Sequence, residues 1–514
     1  MKIKNKYIHI LIIVIGTIFI LLSMFHQNIW FDESYSVAIA KHSFFDIWNI
    51  TGNDVHPPLY YWMLHILWLI FGNNIMVLRG FSVLAVVILG ILGFTHIRKD
   101  FGEKTGILFS FLTFFLPAMC TYSQEIRMYS WACLFVTITA IYAYRIYKSS
   151  NNNKENKVNN TNESDNKGSS NKTCIKNLVI FGIFSIFSCY THYYSLLAVG
   201  IINLLLLIYL IKQRKENKKL LNKFLIVAAI QILLYIPWLI YLINQLMHVG
   251  GGFWITLGLN TLIEVPSFQF RRQLISSVGF NVDTILPLVI AILMYIYIGY
   301  RIYKAKKEKQ DIKPAIFSII IYALVILIVL IASLKSPILL SRYLLTITGL
   351  YIFVFAFFMT KEKKNIVTII ICAIIFILAL VDNIQNMKIN YDESNMKQIE
   401  YLKENVRPDD IFIYRDIING GVISAFFPEN KQYFYNEANW DVEEAYKAYA
   451  PGMETITNYQ EVLNNYEGRI WLVDSGDSSF YNSFNKEGIT TLEGPTIFNT
   501  KYQNYTFNFY LLEK

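Results

Sequence analysis

The sequence predicts a polytopic α-helical membrane protein that ends in a small α/β domain. Two observations predict this fold class. Of the 514 residues, 54% are hydrophobic and 16% are charged, whereas a soluble domain carries about 25% charged residues. Apolar runs long enough to cross a bilayer core also recur along the first three quarters of the chain, and such runs are typical of transmembrane helices.

Clusters of Lys and Arg separate the apolar runs and predict their orientation. The formal net charge is +9, and nearly all of the excess lies in short connections between runs, as in cytoplasmic loops. This placement argues against nucleic-acid binding. We therefore predict a cytoplasmic N-terminus and about eleven transmembrane helices, at 8–25, 75–97, 105–120, 128–147, 175–191, 193–211, 223–243, 284–303, 314–332, 342–359 and 365–383.

The first helix and the first outer loop need separate arguments. The run 8–25 follows three lysines and resembles a signal peptide, but no A-x-A cleavage pattern precedes Trp30, so we expect it to stay attached. The segment 57–71 is apolar, short and rich in Trp and Tyr. If it crossed the membrane, the later basic clusters would lie outside. We predict that it forms an interfacial helix within an outer loop of residues 26–74.

Two segments depart from the membrane pattern. Residues 149–171 are rich in Asn and Lys and nearly free of apolar side chains, which predicts a disordered cytoplasmic loop. Residues 384–514 have the composition of a soluble domain, and their length suffices for one small α/β domain. An odd number of spans places that domain outside. The domain prediction is thus a membrane domain over 1–383 and an extracytoplasmic domain over 384–514.

Local patterns within 384–514 predict its elements. Short apolar runs rich in Ile, Val, Phe and Tyr favour strands, and one charged amphipathic run favours a helix. The predicted helix covers 393–404, and the predicted strands cover 411–414, 470–473 and 505–511.

The polar side chains that are costly near a membrane all fall on the outer side of this topology. Structural polar groups would be expected on both sides, so their segregation predicts a site that faces outward. These residues are Asp32, Glu33, His56, Glu125, Arg127, His192 and Arg342.

Asp32 and Glu33 are the candidates for acid/base chemistry. Two adjacent carboxylates beside a membrane repel each other, which favours one of them as a proton acceptor. We predict that Asp32 is a general base. The alternative is that one of the pair caps a short helix beginning near Ser34, because Asp is favoured at that position.

Arg127 is the candidate for binding an anion. It lies in the motif S-Q-E-I-R-M-Y at 123–129, at the start of a predicted helix, where the helix dipole disfavours a cation. A phosphate ligand would explain the position. The alternative is an Arg that reaches the membrane interface or pairs with Glu125. Arg342, followed by Tyr343, lies likewise at the outer end of a span.

The sequence allows more than one role for each of the other candidate residues. His56 could contact a phosphate, accept a proton or bind a metal with Glu125 or His192, although no H-x-x-x-H or E-x-x-H spacing supports a metal site. A packed interfacial histidine is the alternative for His192. Arg271 and Arg272 would suit lipid headgroups or a pyrophosphate, or only anchor their loop. The five cysteines show no C-x-x-C spacing and predict neither a metal site nor disulfides. We therefore predict no cofactor, with a divalent metal as the weakly supported alternative.

Several motifs together resemble a known family. They are the Asp32-Glu33 pair, H-P-P-L-Y-Y at 56–61, S-Q-E-x-R-x-Y at 123–129 and the Arg-Tyr pair at 342–343. In this combination they look like the GT-C superfamily of membrane glycosyltransferases, and specifically glycosyltransferase family 39, which contains protein O-mannosyltransferases and lipid A aminoarabinose transferases. The resemblance covers the layout of residues 8–360.

This resemblance implies an inverting transferase. It would move a hexose or pentose from a polyprenyl-phosphate donor to an extracytoplasmic acceptor on a cell-surface polymer, lipid or protein. Asp32 would deprotonate the acceptor, with Glu33 as its neighbour in the motif, and the donor phosphate would be held by Arg127, Arg342 and His56. The aminoarabinose branch has a lysine before Pro-Pro, where this chain has His56, and this argues against that branch's substrate. The remaining site candidates are Gln124, Glu125, Tyr129, His192, Tyr343, Arg271 and Arg272.

Other functions fit parts of the same pattern. A transporter or flippase of lipid-linked sugars would place polar residues in the middle of its spans and break its helices with Gly or Pro, whereas the polar residues here lie at one end. A receptor would use the outer domain as a sensor. A polymerase or ligase that uses pyrophosphate-linked oligosaccharides is a related enzyme, which the Arg271-Arg272 pair would fit.

Overall fold

The computed structural model describes residues 3–158, 167–249, 257–271, 282–362, 365–437 and 448–514. The chain forms two compact units. The first, here the helical unit, consists of residues 1–20, 82–124 and 128–382. The second, here the mixed unit, consists of residues 21–81, 125–127 and 383–514.

Helices dominate the chain as far as residue 390. In chain order they are α1 Ile3–Leu21, α2 Phe31–Ala40, α3 Phe44–Asn53, α4 Leu59–Phe71, α5 Ile75–Leu92, α6 Arg98–Phe101, α7 Glu103–Phe115, α8 Pro117–Tyr122, α9 Tyr129–Val158, α10 Lys167–Cys189, α11 Tyr193–Lys212, α12 Arg214–Val249, α13 Leu259–Ser267, α14 Val282–Lys307, α15 Lys313–Ser333, α16 Thr348–Met359 and α17 Asn365–Asn390. A π-helical turn at Gly93–Ile97 and short 3₁₀ turns, including Ser341–Ile347 before α16, complete this part.

Eight helices in the described part of the chain are long and apolar enough to cross a membrane. They are Ile75–Phe101, Lys172–Cys189, Tyr193–Lys212, Arg214–Met247, Thr284–Lys307, Lys313–Ser333, Ser341–Met359 and Asn365–Asn390. Each coincides with one of the eleven predicted spans. The other three predicted spans are helical too, but the apolar part of α1 is only Asn5–Leu21, α7 has 13 residues, and α9 mixes Thr, Tyr and Ser with its apolar residues.

The predicted helix over 105–120 is two helices. Helix α7 ends at Phe115, Leu116 has extended backbone angles (φ −72°, ψ 125°), and α8 begins at Pro117. Proline disfavours a helical conformation in the residue before it, but it fits well at the first position of a helix. The break therefore follows from the proline.

The segment expected to be disordered, 149–171, is helical at both ends. Helix α9 continues to Val158 and α10 begins at Lys167, while 159–166 lie outside the described residues. Once a packed helix has formed, each further residue adds a hydrogen bond without a new nucleation cost. A polar segment can therefore prolong a buried helix.

A mixed sheet forms the core of the chain after residue 390. Its strands are β1 Ile411–Tyr414, β2 Lys431–Tyr435, β3 Glu454–Ile456, β4 Arg469–Asp474, β5 Thr490–Asn499 and β6 Thr506–Glu513, in the order β3-β2-β1-β4-β6-β5. The first four are mutually parallel, and β6 pairs antiparallel with both β4 and β5. Helices α18 Lys397–Asn405, α19 Ile417–Ser424, α20 Tyr459–Asn464 and α21 Ser479–Ser483 accompany the sheet.

The small α/β domain predicted at the C-terminus is confirmed. The predicted strands correspond to β1, β4 and β6, and the predicted helix corresponds to α18. Strands β1 and β4 are almost fully buried, which explains their continuous apolar sequences. The three strands that the sequence did not reveal lack such a run, since β2 is buried only at alternate residues, β3 has three residues and β5 is largely exposed.

The mixed unit joins this domain to the predicted first outer loop. Helix α19 packs against α2 so closely that a Cβ atom at Gly421 would lie 3.0 Å from the Phe31 ring and 3.1 Å from Ser34 Oγ. The hydroxyl of Tyr505 accepts a hydrogen bond from the backbone N–H of Phe31 (3.3 Å), and Asn73 Nδ2 donates to the carbonyl of Ala425 (2.7 Å). The compact unit is therefore larger than the predicted domain 384–514.

Candidate functional site

Asp32 and Glu33 lie in the first turn of α2. The N-cap residue is Trp30, which has extended backbone angles (φ −108°, ψ 175°). Neither carboxylate is therefore the N-cap that the alternative interpretation required. Both are placed where the positive end of the helix dipole favours negative charge. Asp32 is partly exposed, with 18% of its side chain accessible.

Glu33 is buried in an ion pair with Arg79. The side chains of both residues are 1% exposed, and Arg79 Nη2 lies 3.1 Å from each carboxylate oxygen of Glu33. The backbone N–H of Ile126 also donates to Glu33 Oε1 (3.0 Å). Removing one partner of such a buried pair is costly, because the other charge is left without compensation. The geometry thus gives Glu33 a structural position rather than an open catalytic one.

Arg79 was not predicted as a site residue. Its guanidinium donates to the carbonyls of His26 (2.6 Å) and Asn28 (3.1 Å) besides Glu33, so it ties the segment before α2 to the first turn of that helix. Burial and the nearby Arg79 hold the pKa of His26 well below its ordinary value. The sequence did contain an indication that Arg79 has a partner. An Arg near the start of an apolar run, here 75–97, is energetically costly when it is unpaired.

Arg127 lies one residue beyond the Ile126 amide that Glu33 holds. Its side chain is 3% exposed, and Arg127 Nη2 lies 3.9 Å from Asp32 Oδ2. Arg127 Nη1 donates to the carbonyl of Asp32 (3.1 Å), with longer contacts to Ser36 Oγ (3.4 Å) and the Tyr61 hydroxyl (3.5 Å). The predicted base and the predicted cation are thus neighbours.

A histidine contacts Arg127, and a carboxylate contacts that histidine. Arg127 Nη2 lies 3.1 Å from His56 Nε2, and His56 Nδ1 lies 2.5 Å from Asp54 Oδ2. A guanidinium only donates hydrogen bonds, so His56 Nε2 must accept here and Nδ1 must carry the proton that it donates to Asp54. The four side chains thus form a series of contacts that runs from Asp54 through His56 and Arg127 to Asp32.

Asp54 is fully buried, and its pKa reflects two opposing effects. Burial raises the pKa of Asp54, but the electrostatic interaction and hydrogen bond with the Nδ1–H of His56, together with the backbone N–H of Val55, outweigh burial and hold this pKa below its ordinary value. Burial, reinforced by the Asp54 carboxylate, raises the pKa of Tyr35 well above its ordinary value. Asp54 is therefore ionised at neutral pH beside a neutral phenol. The sequence pattern Asp54-x-His56 was the available signal for this residue.

The other sequence candidates fall in different places. Glu125 is buried in the mixed unit. In the helical unit the rings of His192 and Tyr343 are 4.9 Å apart, and Tyr129 lies within 6 Å of both. His192 Nδ1 accepts from the backbone N–H of Tyr194 (3.1 Å) and so caps α11. This is the packed histidine of the alternative interpretation.

The remaining candidates of the helical unit have protein partners. Gln124 Nε2 donates to the carbonyl of Cys120 (3.2 Å), and the guanidinium of Arg342 lies 6.0 Å from the ring of Tyr343. Arg271 Nη1 pairs with Glu264 (3.2 Å). Arg272 lies outside the described residues. Among the described residues, no group of three or more His, Cys, Asp or Glu side chains is placed to hold a metal ion.

Comparison with known protein families supports the resemblance. Residues 55–155 match the model of the family described as dolichyl-phosphate-mannose-protein mannosyltransferase. The match includes His56, Arg79 and Arg127 and begins after Asp32. A search of curated proteins found no significant match.

Comparison with solved structures covers nearly the whole chain. The crystal structure of ArnT from Cupriavidus metallidurans in the apo state is 10% identical, with a TM-score of 0.62, over 97% of each chain. The structure of the same protein bound to undecaprenyl phosphate is 11% identical, with a TM-score of 0.60, also over 97% of each chain. An oligosaccharyltransferase from Archaeoglobus fulgidus is 12% identical over 90% of this chain and 67% of that one, with a TM-score of 0.46.

At this level of identity the likeness to ArnT shows the fold. The chain therefore shares the fold of that ArnT structure, a helical membrane protein as the sequence predicted, with a small C-terminal sheet domain.

Proposed function

We propose that this protein is an inverting glycosyltransferase that takes a sugar from a polyprenyl-phosphate donor and transfers it to an acceptor hydroxyl. One observation carries the proposal: a partly exposed carboxylate, Asp32, lies 3.9 Å from the guanidinium of a buried arginine, Arg127. A proton acceptor and a cation for a leaving phosphate are the two groups that such a transfer needs.

The donor class is supported by the proteins that the chain resembles. The matching family model carries dolichyl-phosphate-mannose in its description, and one of the ArnT structures is bound to undecaprenyl phosphate. Both descriptions name a polyprenyl carrier with a single phosphate. We infer the same class of donor here, together with contact to membrane lipids.

In the proposed reaction, Asp32 accepts the proton of the acceptor hydroxyl, and the oxygen of that hydroxyl attacks the anomeric carbon of the sugar. The bond between that carbon and the phosphate oxygen breaks, and polyprenyl phosphate leaves with the bonding electron pair. A single displacement inverts the anomeric configuration. Arg127 stabilises the negative charge that develops on the phosphate, and this stabilisation requires no metal ion.

The contacts of Arg127 suit exchange with a phosphate. Its hydrogen bonds to Ser36 and Tyr61, at 3.4 and 3.5 Å, are longer than the usual 2.9–3.0 Å and correspondingly weak. Phosphate oxygens can replace them while His56 continues to hold Nη2. We therefore assign His56 and Asp54 as positioning residues for Arg127, and Arg342 as a second candidate for the donor phosphate.

The direct test is transfer in proteoliposomes that contain the full chain. Polyprenyl phosphates carrying different radiolabelled sugars are offered with extracts of cell-surface polymers, and released polyprenyl phosphate and labelled product are quantified. We expect both to form with at least one donor, with Asp32→Asn as the inactive control. If labelled donor instead crossed the bilayer with its sugar–phosphate bond intact, the protein would be a flippase.

Replacement of Arg127 is expected to weaken donor binding. Arg127→Ala should raise the dissociation constant of the phosphorylated donor by about 10–100-fold, and Arg127→Lys should restore part of the loss, because lysine keeps the charge but not the two-pronged donor geometry. The measurement compares donor affinity with that of the same lipid lacking phosphate. Equal affinity in Arg127→Ala and the parent would reassign the phosphate site to Arg342.

The sidedness of the site is a further expectation. From the distribution of Lys and Arg we infer a cytoplasmic N-terminus, with the site and residues 384–514 outside. In a cysteine-free background, an impermeant thiol reagent should label Ser475→Cys in intact cells but not a cysteine introduced between 159 and 166. The reverse pattern would reject the topology and the outward-facing site together.

A further inference from the structure

The mixed unit contains a cavity at the end of α2 opposite Asp32. Its volume is about 160 Å³. It lies where the ends of α2, α4 and α19 meet the segments after α19 and around residue 451. Its lining includes Lys41, His42, Trp68, Asn73, Ser424 and Gly452.

The lining combines an aromatic face with neutral hydrogen-bonding groups. Trp68 is partly buried and offers an apolar surface. Asn73 Nδ2 donates to the carbonyl of Ala425 and Ser424 Oγ donates to the carbonyl of Gly421, and the side-chain oxygens of both residues can still accept hydrogen bonds from a ligand. Ligand sites typically have this composition, with an apolar wall and a few polar groups that fix orientation.

The charges around the cavity are largely compensated. Lys41 Nζ donates to the carbonyl of Pro428 (2.6 Å) and lies 3.4 Å from Glu429 Oε1. Burial lowers the pKa of His42, so its ring is neutral at pH 7. The cavity therefore favours an uncharged ligand with both apolar faces and hydroxyl groups over a phosphate or carboxylate.

The size and place of the cavity suggest what that ligand is. A cavity of about 150 Å³ accommodates one benzene molecule, so this one accommodates a single six-membered ring. Asp32 and Lys41 lie at opposite ends of α2, and nine residues at 1.5 Å each separate them by roughly 14 Å. That distance is spanned by a short chain of sugar units.

We propose that this cavity is an acceptor subsite that binds one neutral sugar unit of an oligosaccharide whose terminal hydroxyl lies at Asp32. The inference rests on the proposed transferase function and narrows its acceptor class to a glycan long enough to span the roughly 14 Å between Asp32 and the cavity. An acceptor that is a protein side chain or a lipid without glycan would leave this cavity unused.

Gly452 provides a means of filling the cavity without touching Asp32. A Cβ atom there would lie 3.0 Å from Ser424 Oγ and 3.5 Å from Ala38 Cβ. Larger side chains would therefore occupy the space assigned to the sugar. Trp68→Ala removes the aromatic wall and is the complementary variant. The matched controls are Trp62→Ala, on the same helix but outside the cavity lining, and Gly200→Leu, whose position has open space around it.

The test measures binding of neutral mannose, glucose, galactose and N-acetylglucosamine oligomers, one to four units long, to the purified full chain in detergent. We expect at least one series to bind more tightly as its length grows to three units. Gly452→Leu and Trp68→Ala should each weaken this binding by about tenfold, while Trp62→Ala and Gly200→Leu should not. Melting temperatures of all four variants identify any that fail to fold.

The outcomes separate this proposal from the function on which it rests. Asp32→Asn should keep most of the glycan binding of the parent, because asparagine can still accept a hydrogen bond from the terminal hydroxyl and the other sugar units bind away from Asp32. If no glycan bound, if length had no effect, or if folded Gly452→Leu and Trp68→Ala bound like the parent, the subsite would be rejected. Displacement of bound glycan by inorganic phosphate would also reject a neutral sugar site. Full turnover by Asp32→Asn would instead reject the proposed mechanism and leave the binding result standing.

Discussion

Asp32→Asn should remove nearly all transfer activity while donor binding stays close to that of the parent. A general base that accepts the acceptor's proton contributes about 10²–10⁴-fold to the rate, and asparagine keeps the shape of the side chain without that capacity. The measurement is the single-turnover rate with saturating donor, together with donor affinity. Because Asp32 is partly exposed at the first turn of α2, the substitution should not prevent folding.

The neighbouring carboxylate supplies the control. Glu33→Gln retains an oxygen that can accept from the Ile126 amide but loses the charge that pairs with Arg79. We expect a loss of stability and only a partial loss of activity. An active Asp32→Asn beside a folded but inactive Glu33→Gln would exchange the roles of the two residues.

Arg79→Met should be the most destabilising single substitution near the site. It leaves the buried Glu33 charge without its partner, and breaking a buried ion pair costs about 3–5 kcal/mol. It also frees the carbonyls of His26 and Asn28, which Arg79 binds. Differential scanning fluorimetry of the full chain in detergent should show a large fall in melting temperature.

A second substitution distinguishes stability from positioning. In Arg79→Met combined with Glu33→Met, no buried charge remains uncompensated, and apolar replacement of a whole ion pair is often neutral or stabilising. We expect the double variant to recover much of the melting temperature but not the activity, because the Ile126 amide loses its acceptor and the loop carrying Arg127 is no longer held. Recovery of full turnover would show that the pair contributes only to stability.

Parts of the candidate site could be predicted because charged and polar side chains are energetically costly beside apolar runs. A carboxylate pair, an arginine before a helix and a histidine before two prolines are conspicuous beside apolar runs. Their neighbours in space were hidden. Arg79 lies 46 residues after Glu33 in the chain, and no periodicity connects the two. The partner of Arg271 was equally hidden, and only the structure shows that Arg271 pairs with Glu264.

The fold, like the candidate site, was predicted from the sequence only in part. Apolar runs and basic clusters determined the helical membrane class, and buried apolar strands such as β1 and β4 determined the C-terminal sheet, because burial on both faces leaves a continuous apolar pattern. The exposed strand β5 carries no such pattern and was missed.

The sequence by itself determined that this is a helical membrane protein, that its costly polar residues gather on one side of the predicted topology, and that Asp32 and Arg127 are candidates for one site. Composition and spacing suffice for these conclusions because they indicate whether each segment is stable in lipid or in water. Only the tertiary structure decided that Glu33 is held by Arg79, that His56 bridges Asp54 and Arg127, and that α2 and α19 pack in one unit. These contacts join residues far apart in the chain, and their geometry arises only when the segments pack together.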